Sequence, residues 1–237
     1  MLPKVAQYNL HQIDEIFRFG NPHAATPSLV DVVLVAIDFE NVTAVKNGFL
    51  VNPNCQAGVT ILDTRLLEES SANEPLRTYN FAIGTPSYIE EASKKFQFGD
   101  TITTSPQKLS TRIRSLIPGK RKVVLVGHGV MSDVSALKAL GFQFPTRLLA
   151  LLDTAQVAKE ISNCWSGSLG DLLRELGCPH SKLHCAGNDA NYTLKALLLL
   201  AAKRLERQSG NRNTVNMLRR IGRQELPYWV DAQGKHQ

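Results

Sequence analysis

The chain of 237 residues has four cysteines, Cys55, Cys164, Cys178 and Cys185, and no two of them form a C-x-x-C pair. That absence removes a zinc ribbon and leaves no disulfide framework to read. Long apolar runs are missing too. The stretch TLKALLLLAA is shorter than a bilayer requires and holds Lys195, so no membrane partner is expected. The N-terminal residues MLPKVAQYNLHQIDEIF carry charges and lack the apolar centre of a secretory signal. No internal repeat or low-complexity tract occurs. Taken together, these absences read as a soluble protein of a reducing compartment, nucleus or cytoplasm.

What is present is an ordinary globular balance, 43% apolar and 20% charged, over a length that can bury a proper core. The net charge of +6 is unevenly placed. From position 203 onward there are eight Lys or Arg and three Asp or Glu, a surplus of five. A second basic cluster, Lys108, Arg112, Arg114, Lys120, Arg121 and Lys122, lies in a stretch with no acid between Thr101 and Ser132. Such clusters read either as solvated surface or as a track for a polyanion.

Three segments are expected: an N-terminal arm over 1–30, one domain over 31–208 and a basic C-terminal extension over 209–237. In the arm, YNLHQIDEIF suits a short helix, which GNPHAATPS breaks. Strands are expected at residues 32–37 and in AGVTILD, LRTYNFAIG, KVVLVGH and the start of RLLALLDTAQVAKEI. Residues 82–106 read as a long functional loop. Helices are expected in SPQKLSTRIRSLI, SDVSALKALG, the end of RLLALLDTAQVAKEI, SLGDLLRELG and DANYTLKALLLLAAKRLERQ. Strands followed by alternating strands and helices indicate an α/β or mixed α+β fold.

The chemistry concentrates in three places. In VAIDFEN, an apolar run leads into Asp38 and Glu40. Residues i and i+2 of a strand point to the same side, so the two carboxylates project together and repel. A divalent cation is the simplest compensation. In VLVGHGVMSDVSAL, a buried strand and a Gly-containing turn place Asp133 in the first turn of a helix. In LHCAGNDANYTL, His184 is followed by Asp189 at the opening of a long helix. Each acid sits at the edge of a core element, where a lone charge is costly.

D-x-E, then G-H-x(4)-D, then H-x(4)-D, in that order, resembles the four-acid-plus-histidine (DEDDh) 3′–5′ exonucleases of the ribonuclease H-like superfamily. LLDTAQVAKE is similar to the segment that precedes their third motif. The resemblance spans roughly residues 31–202, and VAIDFEN, LVGH and HCAGNDA are similar to a fungal ribonuclease H-like group that includes a factor linked to messenger-RNA export. It implies a mixed five-stranded sheet flanked by helices. It also implies two Mg²⁺ or Mn²⁺ ions held by Asp38, Glu40, Asp133 and Asp189, with Asp38 bridging both, Asp133 acting through bound water and His184 as general base. Carboxylate oxygen is the ligand such hard cations prefer, and a histidine titrates near neutrality.

The chain departs from many relatives at Asn41-Val42-Thr43, where they have Thr-Thr-Gly, at Gln56, where they have Glu, and at Gly129, where they have Asn. The first departure bears on recognition of the last nucleotide, for which Asn41 is the candidate contact. Arg219, Arg220 and Arg223 are candidate phosphate contacts, and Tyr228 and Trp229 can stack on bases or pack on the domain. His128 reads as structural, Asp153 and Thr154 as caps of the following helix, and Asp63 as a turn residue. The function expected is a metal-dependent exonuclease that degrades single-stranded RNA or DNA to nucleoside 5′-monophosphates. The alternative is a nucleic-acid-binding adaptor of the same fold with little catalysis, serving RNA export or silencing.

Overall fold

The computed structural model describes residues 9–17, 31–67, 76–162, 167–208 and 212–226. The apolar run becomes strand β1 (Val32–Glu40). It pairs antiparallel with β2 (Cys55–Asp63), which pairs antiparallel with β3 (Leu76–Ile83). A short β4 (Thr101–Thr103) lies parallel to β3. On its other side β1 is parallel to β5 (Lys122–Gly127), and β5 to β6 (Leu148–Asp153). The mixed sheet therefore has six strands in the order β4-β3-β2-β1-β5-β6, one more than expected. The additional strand is β4, whose three residues give barely one period of alternation to read.

Helices cover both faces, making an α/β architecture of three layers. Val32, Leu34 and Ala36 of β1 face a layer that contains α1 (Asn9–Ile16), α6 (Thr154–Ser162), α7 (Leu169–Leu176), α8 (Ala186–Arg207) and α9 (Arg212–Gly222). Val33, Val35, Ile37 and Phe39 face α4 (Pro106–Leu116) and α5 (Met131–Ala139). A strand covered on both sides has no need of polar alternation, which explains the unbroken apolar run.

Residues 82–106 do not form the long loop expected. They hold α3 (Pro86–Lys95) and β4. The start signal is local: Pro86 stands in the first turn, and the Thr85 hydroxyl accepts the Tyr88 N–H at 3.4 Å. A short helix α2 (Val42–Lys46) follows β1. The helix α7 is closed by a Ser168–Asp171 capping box and by Gly177 in the left-handed region, φ 62°.

Both ends of the chain contribute helices to the α8 layer. Ile13, Ile16 and Phe17 of the N-terminal segment are buried, and Arg204 pairs with Asp14 at 2.6 Å. In the C-terminal segment, Val215, Leu218 and Ile221 of α9 are buried in the same core as α8. Arg219 pairs with Glu206 at 2.7 Å, Arg223 donates to the Leu176 carbonyl at 3.3 Å, and Arg220 is exposed. Tyr228 and Trp229 lie outside the described residues, as do 1–8 and 18–30 of the expected arm. Cys55, Cys178 and Cys185 are free and buried. Among the described residues no helix is long and apolar enough to cross a membrane.

Candidate metal centre

The alternation of β1 sends Phe39 into the α4/α5 core and leaves Asp38 and Glu40 together on the α8 side. What brings Asp189 to them is a close approach of helix to sheet. Asp38 lies opposite Gly58 on β2. A Cβ on Gly58 would stand 1.8 Å from the Ala186 carbonyl oxygen and 2.6 Å from the Gly187 nitrogen. Only a glycine lets the first turn of α8 rest on the strand here. Gly187 is confined in turn: a Cβ there would meet the Phe96 ring at 2.6 Å, and its N–H donates to Asn80 Oδ1 at 3.0 Å. Asn188 completes the clamp. Its Oδ1 accepts the Gln97 N–H, and its Nδ2 donates to the carbonyls of Lys95 and Lys182, all at 2.9 Å.

Asp133, buried in the first turn of α5, reaches β1 from the side, and its Oδ1 accepts the Phe39 N–H at 3.0 Å. The turn before α5 is held by Asp153, whose carboxylate accepts the N–H groups of Gly129 and Val130 at 3.0 and 3.2 Å and that of Ala155 at 3.0 Å. Asp153 thus caps α6, as expected, and also fixes the turn that delivers Asp133. His128 Nδ1 bonds the Thr154 hydroxyl at 3.0 Å, a structural contact.

His184 stands on an exposed turn with φ 62°. Its backbone N–H donates to Asp189 Oδ2 at 3.0 Å, and its Nδ1 lies 3.9 Å from Glu40 Oε1. Ligand atoms of Glu40, His184 and Asp189 all lie within 4.8 Å of one another. Asp38 is close enough to Asp133, Asp189 and Glu40 to be repelled by them, and Asp133 is close enough to Glu40.

The four carboxyls are all held above the usual carboxylate range. For Asp38 burial acts first, followed by repulsion from Asp133, Asp189 and Glu40. Burial raises Asp133 to about 7 against the Phe39 hydrogen bond, and raises Asp189 to about 7 against the bond from His184. Glu40 is raised by burial, while His184 and Lys95 act in the opposite sense. Among the described residues no Lys or Arg forms an ion pair with any of the four. The buried Asp189 Oδ1 has no hydrogen-bond partner. Clustered carboxylate oxygens that no Lys or Arg of the described residues pairs, one of them without a hydrogen bond, suit a hard divalent ion.

Beside Glu40 opens a cavity of about 120 Å³ lined by Asn41, Gln56, Tyr88, Lys95 and His184, among others. Of these, Tyr88 and Lys95 of α3 were not singled out in the sequence, because their segment read as loop. Gly58, Gly187 and Asn80 were also missed. Their signal was a glycine inside a strand pattern and an Asn at a core strand position. Asn41, in the left-handed region at φ 61°, lines the cavity. Arg219, Arg220 and Arg223 belong to α9 and the turn after it, and none of them lines this cavity.

The DEDDh family model described as DNA polymerase III subunit epsilon-like, C-terminal domain, matches residues 33–200. An uncharacterized nucleolar protein of Schizosaccharomyces pombe is 35% identical over 124 residues, 46% of this chain and 48% of that protein. The Saccharomyces cerevisiae protein called Good for full DBP5 activity protein 2 is 31% identical over 115 residues, 40% of this chain and 20% of that protein. The matches thus span about half or less of the length of these relatives. The RNase domain of the yeast Pop2 protein is similar at 15% identity and a TM-score of 0.41, covering 84% of this chain and 82% of its own.

Proposed function

The chain belongs to the DEDDh family of DNA polymerase III subunit epsilon-like domains, and on that premise we propose that it is a metal-dependent 3′–5′ exonuclease acting on single-stranded RNA or DNA. The observation that carries this reading is the meeting of Asp38, Glu40, Asp133 and Asp189 at one end of β1, where among the described residues no Lys or Arg forms an ion pair with them, beside an exposed His184. Asp38, Glu40, Asp133 and Asp189 would hold two Mg²⁺ or Mn²⁺ ions. When bound, these neutralise the acids and stabilise the charge on the attacking and leaving oxygens of a phosphodiester.

The chain's own groups do the rest. His184 takes a proton from the attacking water at an imidazole nitrogen. Asp189 holds the turn that presents His184, through the backbone N–H at 3.0 Å. Asp133 and Asp38 are fixed by the backbone of β1 and α5, so the acids need no rearrangement to receive charge. The water oxygen bonds to phosphorus as the P–O3′ bond breaks, the departing O3′ takes a proton from solvent and leaves as the 3′-hydroxyl of the shortened strand, and a nucleoside 5′-monophosphate is released. Asn41 contacts the terminal nucleotide, and Arg220, exposed on α9, meets phosphates of longer strands. Arg219 and Arg223 do so by exchanging their present partners, Glu206 and the Leu176 carbonyl. The buried free cysteines and a nucleolar relative support an intracellular setting, nucleus or cytoplasm.

A second reading, an adaptor with little catalysis in RNA export or silencing, is favoured by one finding: a relative is named for supporting the full activity of another protein, DBP5. End-labelled single-stranded RNA and DNA incubated with purified protein and Mn²⁺ or EDTA decide between them. A ladder shortening from the 3′ end with Mn²⁺ alone supports the exonuclease, and intact strands under both conditions refute it.

A further inference from the structure

The cavity beside Glu40 has polar groups that the hydrolysis above does not use. Gln56 is 5% exposed, and its Oε1 has no hydrogen-bond partner, while its Nε2 donates to the Tyr88 hydroxyl at 3.4 Å. Asn41 Nδ2 donates to the same hydroxyl at 3.3 Å. A buried polar atom left unpaired is costly to the fold unless a ligand or water satisfies it. Turning the amide over exchanges which end meets Tyr88 and still leaves the other end unpaired. A hydroxyl can satisfy whichever end is left, donating to Oε1 or, with the amide turned, accepting from Nε2.

Position narrows the choice further. Gln56 and Glu40 lie opposite each other in the β1–β2 register, so their side chains rise as neighbours from one face of the sheet. An acceptor-only carboxylate stands beside an unpaired amide end. Two hydroxyls on adjacent carbons of one ring match that pair. The cavity, about 120 Å³ and lined by Asn41, Gln56, Tyr88 and Lys95, is polar as a sugar site is, rather than apolar as a base-stacking site is.

We propose that Gln56, braced by Tyr88 and Asn41, reads the 2′-hydroxyl of the terminal nucleotide and makes the protein selective for RNA ends over DNA ends. This rests on the exonuclease reading and names its substrate class.

The test uses two RNA oligonucleotides that differ in one atom, one all-ribose and one ending in a single 2′-deoxynucleotide. Removal of the last nucleotide is timed with Mn²⁺. The deoxy end should be released about tenfold or more slowly, since a site built to bond a hydroxyl rejects the analogue that lacks it. Gln56→Met, which keeps the volume without the amide, should bring the two rates together. Tyr88→Phe should reduce the ratio in the same direction and provides a second variant if the first fails to fold. Equal rates in the wild type, or a ratio that survives in a folded variant of either kind, overturn the proposal. Calorimetric titration with adenosine 5′-monophosphate and its 2′-deoxy form in Ca²⁺ separates this failure from failure of the exonuclease reading. If neither oligonucleotide is cut but the ribose form binds about tenfold tighter, the hydroxyl site stands and the exonuclease reading falls. If the two bind equally, or neither binds, the hydroxyl site falls.

Discussion

The two ends of β1 carry acids in opposite circumstances. At its start, Asp31 pairs with Arg65 at 2.6 Å and also with Arg121, which in turn pairs with Asp63 of β2 at 2.8 Å. Hydrogen bonding to Arg65 holds Asp31 below the usual carboxylate range, and Asp63 is held low by Arg121 and Arg65 although burial acts upward. At the other end, Asp38 and Glu40 meet Asp133 and Asp189 and all four are raised, burial first. One strand thus ends once in acids paired with arginines of the chain and once in acids that no Lys or Arg of the described residues pairs. On the function proposed above, the difference separates acids that hold the fold from acids that take a metal ion.

The sharpest way to break this contrast is Asp38→Asn. It should abolish Mn²⁺-dependent cleavage while leaving the fold intact, because the lost charge is repelled by its neighbours and balanced by none. Cleavage assays with circular dichroism check both halves, and near-normal cleavage by the variant would sink the metal assignment. Next in size is His184→Ala, expected to lower turnover by about 10²–10⁴-fold as a lost general base does. Its Mn²⁺ affinity, measured by calorimetry, should change little. A large loss of affinity would make His184 a ligand instead, which its Nδ1, 3.9 Å from Glu40, is placed to be.

The acidic end should also respond to pH with the opposite sign to the paired end. Asp133 and Asp189 are raised to about 7. Groups raised on folding contribute stability below their ordinary value, near 3.8, and lose it as the pH climbs through the folded value. Metal-free protein should therefore melt at progressively lower temperature between about pH 4 and pH 7. Mn²⁺ at a hundred times its dissociation constant should restore about 2.7 kcal/mol. Thermal melts with and without Mn²⁺ across this range check it. A melting temperature indifferent to Mn²⁺ at pH 7 would mean that the cluster holds no ion.

The acidic end was the more legible of the two. The apolar run with i and i+2 acids marked Asp38 and Glu40, and motif order marked Asp133, His184 and Asp189. The paired end was not legible: Asp63 read as a turn residue, and its partner Arg121 stands 58 positions away, a distance that no local pattern spans. The same holds for Gly58. A glycine in a strand announces a close approach, but only the fold shows that α8 is what approaches. Helix α3 was missed for a different reason. Ala92 is its single buried residue, so it gives little periodicity, and Thr85-Pro86 was its main local start signal.

Arg121→Ala tests the paired end, and its effect should be the smallest. The Arg121 side chain is 19% exposed and serves Asp31 and Asp63 at once. Removing it leaves Asp63, itself 25% exposed, with the Arg65 backbone N–H at 3.1 Å but with no guanidinium bonded to it, since that of Arg65 is directed at Asp31. The expected loss is about 1–3 kcal/mol, the range for hydrogen bonds to charged groups and for the partners left unmade. Because both acids are lowered on folding, this contribution is present above their ordinary value of 3.8 and fades as pH falls through the folded values. The difference in stability between wild type and variant, measured by urea melts, should therefore shrink from pH 7 towards pH 3, while Mn²⁺ binding and cleavage at neutral pH stay as in the wild type. If the variant instead loses Mn²⁺ binding, the two ends of β1 are coupled through the strand, and the division between acids that hold the fold and acids that hold the ligand is wrong.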